Sequence, residues 1–200
     1  ALRAHERSPR ATLVERCELL LGLGRAQCGV QGRIAGTQRE QAIATFAAAA
    51  ALARDLNSPE LMVRAALDGV WHWLEGAGSY GVAEVDLLRL QEDVVSWLPD
   101  DPSAERLALL VSMRALYAAA VKPQERRRCA EEIQRIAAAL ATPETTPRAH
   151  LETAIEAWET CRYADAVAAF DQCLADPHAS RRPEILSPAH FLRTLSLARF

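Results

Sequence analysis

The chain has 200 residues, 50% of them hydrophobic, 24% charged and only 6% aromatic, with a formal charge of −3. That charge and a pI near 6.0 exclude a general electrostatic attraction to nucleic acid or to anionic membrane. The longest apolar run, Phe46 to Ala53, is far too short to cross a bilayer. No basic segment leading into an apolar stretch opens the chain, so no secretory signal is expected. Alanine occurs 39 times; it is the best helix former and lets helices approach closely, which favours an all-α chain.

Helix starts follow from caps and prolines. Ser8-Pro9, Ser58-Pro59, Asp101-Pro102, Thr146-Pro147 and Ser187-Pro188 each pair a capping oxygen with proline at a first helical position, where its missing N–H is harmless. Lys122-Pro123 starts another helix less ideally, and Thr37 with Glu40 makes a capping box. The predicted helices are 9–28, 37–55, 59–75, 82–98, 102–120, 123–141, 147–161, 164–175 and 188 onward. Breaks of a few residues between them describe successive antiparallel hairpins. Apolar stripes support these spans: Leu61, Met62, Ala65, Ala66 and Val70 share one face, as do Cys129, Ile133, Ile136, Ala137 and Leu140. No linker long enough to divide two domains is present, so one helical-repeat domain over 1–200 is expected. A bend is expected at the crowded stretch Thr142 to Pro147.

A spaced pattern occurs twice. Ala166, Phe170, Cys173 and Leu174 follow Tyr163 at the offsets of the second helix of a tetratricopeptide repeat (TPR), and Ala42, Phe46, Ala49 and Ala50 repeat that spacing. In that repeat a small residue on one helix admits its partner, and the aromatic one turn on fills the gap. Gly24 suits the small-residue position of the opposing helix. The fold expected is an all-α, TPR-like right-handed superhelix of antiparallel hairpins, an α-solenoid.

Three segments carry a family resemblance. Cys17-Glu-Leu-Leu-Leu-Gly-Leu-Gly-Arg-Ala26, the alanine-rich stretch Ala42 to Ala53, and Ala53-Arg-Asp-Leu-Asn-Ser-Pro-Glu-Leu-Met-Val-Arg-Ala-Ala66 resemble the helical-repeat region of large actinobacterial regulators. These are the ATP-binding LuxR-type and antibiotic-regulatory transcriptional activators. Val85 to Pro99 is similar to the next hairpin of that region, and the likeness runs from about Leu13 to Leu140. It implies a segment that senses a ligand or partner beside nucleotide-binding and DNA-binding domains. Neither a Walker A motif nor a DNA-reading helix occurs in these residues, so those activities are not expected here.

The residues offer little chemistry. Gly22, Gly24 and Gly29 are spaced wrongly for a dinucleotide fingerprint, and His5, His72, His150, His178 and His190 form no metal-ligand set. No nucleophile elbow is present. Cys17, Cys28, Cys129, Cys161 and Cys173 lack C-x-x-C spacing and read as thiols in a reducing compartment, which places the protein in the cytoplasm. Arg126-Arg127-Arg128 reads as a solvated face neutralised by pairs such as Arg127 with Glu131, and Arg181-Arg182 reads the same way. The local cluster of interest is Trp71, His72, Trp73 and Tyr80. Trp71 and Trp73 point about 200° apart on a helix, so they cannot share one core stripe. As packing, one fills the core and the other lies against a neighbouring repeat, the reading that aromatic usage favours. As function, they and Tyr80 line a ligand or peptide pocket at a hairpin tip.

The expectation is a sensor or scaffold segment of a cytoplasmic transcriptional regulator, excised from a larger protein. It would bind a protein partner, neighbouring domains of its own chain or a small-molecule effector. No catalysis, cofactor, metal, membrane or direct nucleic-acid contact is expected. A free-standing TPR-type adaptor and, less favoured, an α-helical enzyme are the competing readings.

Overall fold

A computed structural model of the chain describes residues 12–29, 36–75, 85–143 and 145–199, with side chains for all of these except 29, 36–39, 69–75 and 184. The described residues are all-α: α1 (Leu13–Gly29), α2 (Gly36–Asp55), α3 (Pro59–Glu75), α4 (Val85–Trp97), α5 (Ala104–Ala119), α6 (Pro123–Leu140), α7 (Thr146–Glu159), α8 (Tyr163–Ala175) and α9 (Pro183–Leu197), with a 3₁₀ turn at Ala179–Arg181. They divide into two compact units, residues 1–100 with 115–122 and residues 101–114 with 123–200. The two parts of α5 therefore belong to different units. The segment 142–147 lies wholly within the second.

In the first unit α1 packs on α2 and α3, and α2 packs on α3 and α4. In the second, α7 packs on α6, α8 and α9, and α8 packs on α9. Most of these helices thus meet the next one, and α1, α2 and α7 also meet the next but one, a packing consistent with an α-solenoid.

The helix ends show where local chemistry agrees with the caps and where it differs. α3 and α6 begin at Pro59 and Pro123, as expected. The start assigned to Ser8-Pro9 lies outside the described residues, as does the Thr37 side chain of the proposed capping box. Instead, Thr12 and Glu15 form a reciprocal box at α1: the Glu15 amide donates to Thr12 Oγ1 at 3.2 Å and the Thr12 amide to Glu15 Oε2 at 2.9 Å. At α5 the cap is Ser103, whose Oγ accepts from the Arg106 amide at 3.1 Å, rather than Asp101. At α7 it is Thr145, one residue earlier than expected. Ser187-Pro188 is not a helix start, because α9 begins at Pro183 and carries Pro188 inside it. Ile185 and Ala189, both fully buried, bracket that proline and hold the helix through the lost N–H.

Three of the short turns share one device. Asn57, Val121 and Cys161 adopt positive φ of 53°, 54° and 60°. After each, the next amide reaches back five residues: Ser58 to Ala53, Lys122 to Tyr117 and Arg162 to Ala157, at 2.8–2.9 Å. This is the Schellman closure, and it lets the next helix start at once.

The hairpin cores rest on small residues facing an aromatic ring. Ala42, Phe46, Ala49 and Ala50 are all buried on α2. A methyl group built on Gly24 of α1 would lie 2.7 Å from Cε1 and Cζ of Phe46. The backbone of α1 therefore lies close against the ring, and any larger residue at Gly24 requires Phe46 to shift. In the second unit Phe170, Ala166 and Cys173 of α8 share one core with Leu151, Ala154 and Ala157 of α7 and with Ile185 and Ala189 of α9. Each buried phenylalanine is worth about 1.5–3 kcal/mol of apolar transfer.

Gly22 and Gly24 give a paired prediction. Nothing lies within 4 Å of a Cβ at Gly22. Gly22→Ala should therefore raise stability by about 0.5–1 kcal/mol through helix propensity. Gly24→Ala gains the same propensity and loses about 1–3 kcal/mol to overpacking against the fully buried ring of Phe46. Thermal unfolding is expected to move in opposite directions for the two variants.

Candidate functional site

Trp71, His72 and Trp73 fall on the last turns of α3, where the side chains lie outside the described residues, and Tyr80 lies outside them altogether. The structure of the rest brings other groups together.

The second unit contains a buried ionic network. Arg114, in the middle of an apolar helix, has a side chain only 8% exposed. Its Nη1 lies 3.0 Å from Glu152 Oε2 and its Nη2 donates to Glu159 Oε2 at 2.9 Å. Arg126 Nε approaches the same Glu159 oxygen at 3.3 Å, and Arg148 lies 3.5 Å from Glu152 Oε1. Glu152 Oε2 and Arg114 Nε are buried and lack a well-angled hydrogen bond, so the Arg114–Glu152 contact is one of charge rather than of aligned donors. Burial pushes the Glu152 carboxyl above the usual carboxylate range, and Arg114 and Arg148 pull it back only in part. Glu132 shows the opposite balance. Its hydrogen bonds from Arg135, aided by the nearby Arg106, hold its carboxyl below the ordinary value.

Beside this network lies a cleft of about 270 Å³. One wall is the first turn of α6, with Pro123, Gln124, Arg126 and Arg127; the other is the last turn of α7, with Glu156, Glu159 and Thr160. Arg114 of α5 contributes to the lining as well. The expected Arg127–Glu131 pair is present at 3.1 Å, whereas Arg126 turns to Glu159 instead. Thr160 closes α7 by donating to the Glu156 carbonyl at 2.8 Å.

The remaining chemistry-bearing groups are dispersed. Among the described residues no three His, Cys, Asp or Glu side chains gather as a metal site would need. All five cysteines are free thiols: Cys17, Cys129 and Cys173 are buried, Cys28 is half-buried and Cys161 is exposed. Burial raises the Cys17 thiol and pushes Cys173 up to about 11, so neither forms a reactive thiolate near neutrality. No helix among the described residues is long and apolar enough to cross a membrane.

The Arg114 network was missed from sequence because its cross-helix partners are 33 to 45 residues apart on three helices. The one available signal was an arginine in an apolar helix together with Glu152 and Glu159, seven residues apart on α7. No protein-family model, curated protein or solved structure matches the chain.

Replacing Arg114 by Met should cost about 3–5 kcal/mol, because it leaves two carboxylates with too little cation. It also raises the Glu152 carboxyl further. A carboxyl raised in the folded state contributes stability below its ordinary value, and that contribution is lost as pH rises through the folded value. The deficit of Arg114→Met relative to the parent should therefore be smaller near about pH 5 than near about pH 8 in urea unfolding. A pH-independent deficit would show that Glu152 is not the group left exposed to the loss.

Proposed function

We propose that the chain is a helical-repeat binding segment of a cytoplasmic transcriptional regulator, with its hairpins wound as a TPR-like right-handed superhelix. It takes up a protein partner or a small-molecule effector and passes that state to neighbouring domains. The observation that carries this reading is the hairpin rule met in both units: small residues on one helix, Gly24 in one case and Ala154 and Ala157 in the other, belong with a fully buried phenylalanine of the next. Repeats of this kind present faces for binding. The Cys17–Ala66 resemblance to regulators of the LuxR type supplies the regulatory part of the proposal.

Deleting the coding sequence for residues 13–197 from the native gene is expected to change a confined set of transcripts, restored by the intact segment. An unchanged transcript profile contradicts the regulatory reading. Restoration by a Trp71→Ala/Trp73→Ala variant that remains helical by circular dichroism would reject those tryptophans as the contact.

A further inference from the structure

The cleft between α6 and α7 is dipolar. One wall is a helix N-terminus, which carries partial positive charge and unpaired amides. The residue before it, Lys122, has no side-chain acceptor to cap those amides. Arg126 and Arg127 stand on the same turn, Arg126 against Glu159 and Arg127, largely exposed, against Glu131. The opposite wall is the C-terminal turn of α7, where the partial charge is negative and Glu156 and Glu159 project. Glu159 is already shared by Arg114 and Arg126. Among the described residues Glu156 has no cation within ion-pair distance, and its side chain accepts from the Gln134 amide at 3.5 Å. Arg114 also lines the cleft, with more than nine-tenths of its side chain buried, its Nη atoms on Glu152 and Glu159, and its Nε without a hydrogen-bond partner among the described residues.

We infer that this cleft binds a small zwitterion: an anionic group at the α6 N-terminus beside Arg127, and an ammonium group at Glu156. A purely anionic ligand would meet Glu156 and a purely cationic one the arginines, so each would gain from one wall and lose at the other. A volume of about 270 Å³ suits a free amino acid or an amine-bearing phosphoester. The inference rests on reading the chain as a binding segment, and its failure would leave the transcript test of that reading untouched.

The test titrates the full chain with glycine, phosphoethanolamine, acetate and methylammonium at matched ionic strength, followed by ligand-observed NMR and thermal shift. Both zwitterions should bind more tightly than either single-charge probe, and the tighter of the two identifies carboxylate or phosphate as the preferred anion. Arg127→Gln alters a side chain that is 73% exposed, so the fold should persist. It should weaken both zwitterions about tenfold, the effect of losing one charge-assisted hydrogen bond. Glu156→Gln should abolish the advantage of glycine over acetate. Equal binding of all four probes, or titrations unchanged in both variants, would overturn the inference.

Discussion

The contact on which the rest of the first unit depends is the approach of the α1 backbone to the ring of Phe46. A helix that presents glycine at the crossing brings its axis nearer than any side chain would allow, and the buried ring fills the space that remains. The second unit meets the same constraint with alanines, since Ala154, Ala157 and Ala166 surround Phe170 in one core. An alanine-rich, aromatic-poor composition suits this: close crossings need small residues, and each of these two hairpins holds one large ring.

Close crossings also decide which charges meet. In the first unit α1 is tied to α3 by Glu18 with Arg64, two hydrogen bonds of 2.6 and 2.9 Å, and by Arg25 with Asp68 at 2.8 Å. In the second, α5 is tied to α7 by Arg114 with Glu152 and Glu159. The ties span 38 to 46 residues, and all join odd-numbered helices across the intervening one. The exposed pairs of the first unit add little stability, because water screens them and long side chains must be ordered. The Arg114 network differs in being desolvated. A buried ion pair is weak evidence for stability, but breaking one side is costly, so it favours one register of α5 on α7 over slipped alternatives.

Much of the fold was legible in the sequence, because helix ends and stripes are local. Pro59 and Pro123 mark starts wherever a proline falls at the first helical position, and Ala42–Phe46 and Ala166–Phe170 announce their own burial by spacing. The errors were local as well. Ser103 competes successfully with Asp101 for the α5 amides, and the burial of Ile185 overrides the helix-breaking tendency of Pro188. The cleft was not legible. It combines the start of one helix with the end of another, and i to i+4 pairing, which holds for Arg127 with Glu131, does not reach the partner of Arg126. Arg126 shows why, since its partner is Glu159 rather than a residue on its own helix. The Trp71–Tyr80 cluster drew attention by its composition and by the angle between Trp71 and Trp73, and neither separates a packed ring from an exposed one.

The most direct measurement is a double-mutant cycle between Gly24 and Phe46, read by denaturant unfolding. If the α1 backbone rests on the ring, the loss caused by Gly24→Ala in the parent should vanish or reverse in a Phe46→Leu background, where the shorter side chain leaves room for the added methyl. The coupling energy expected lies in the range of about 0.5–3 kcal/mol for residues in contact. An unchanged cost of Gly24→Ala in both backgrounds would contradict the account, because the added methyl would then be meeting something other than Phe46.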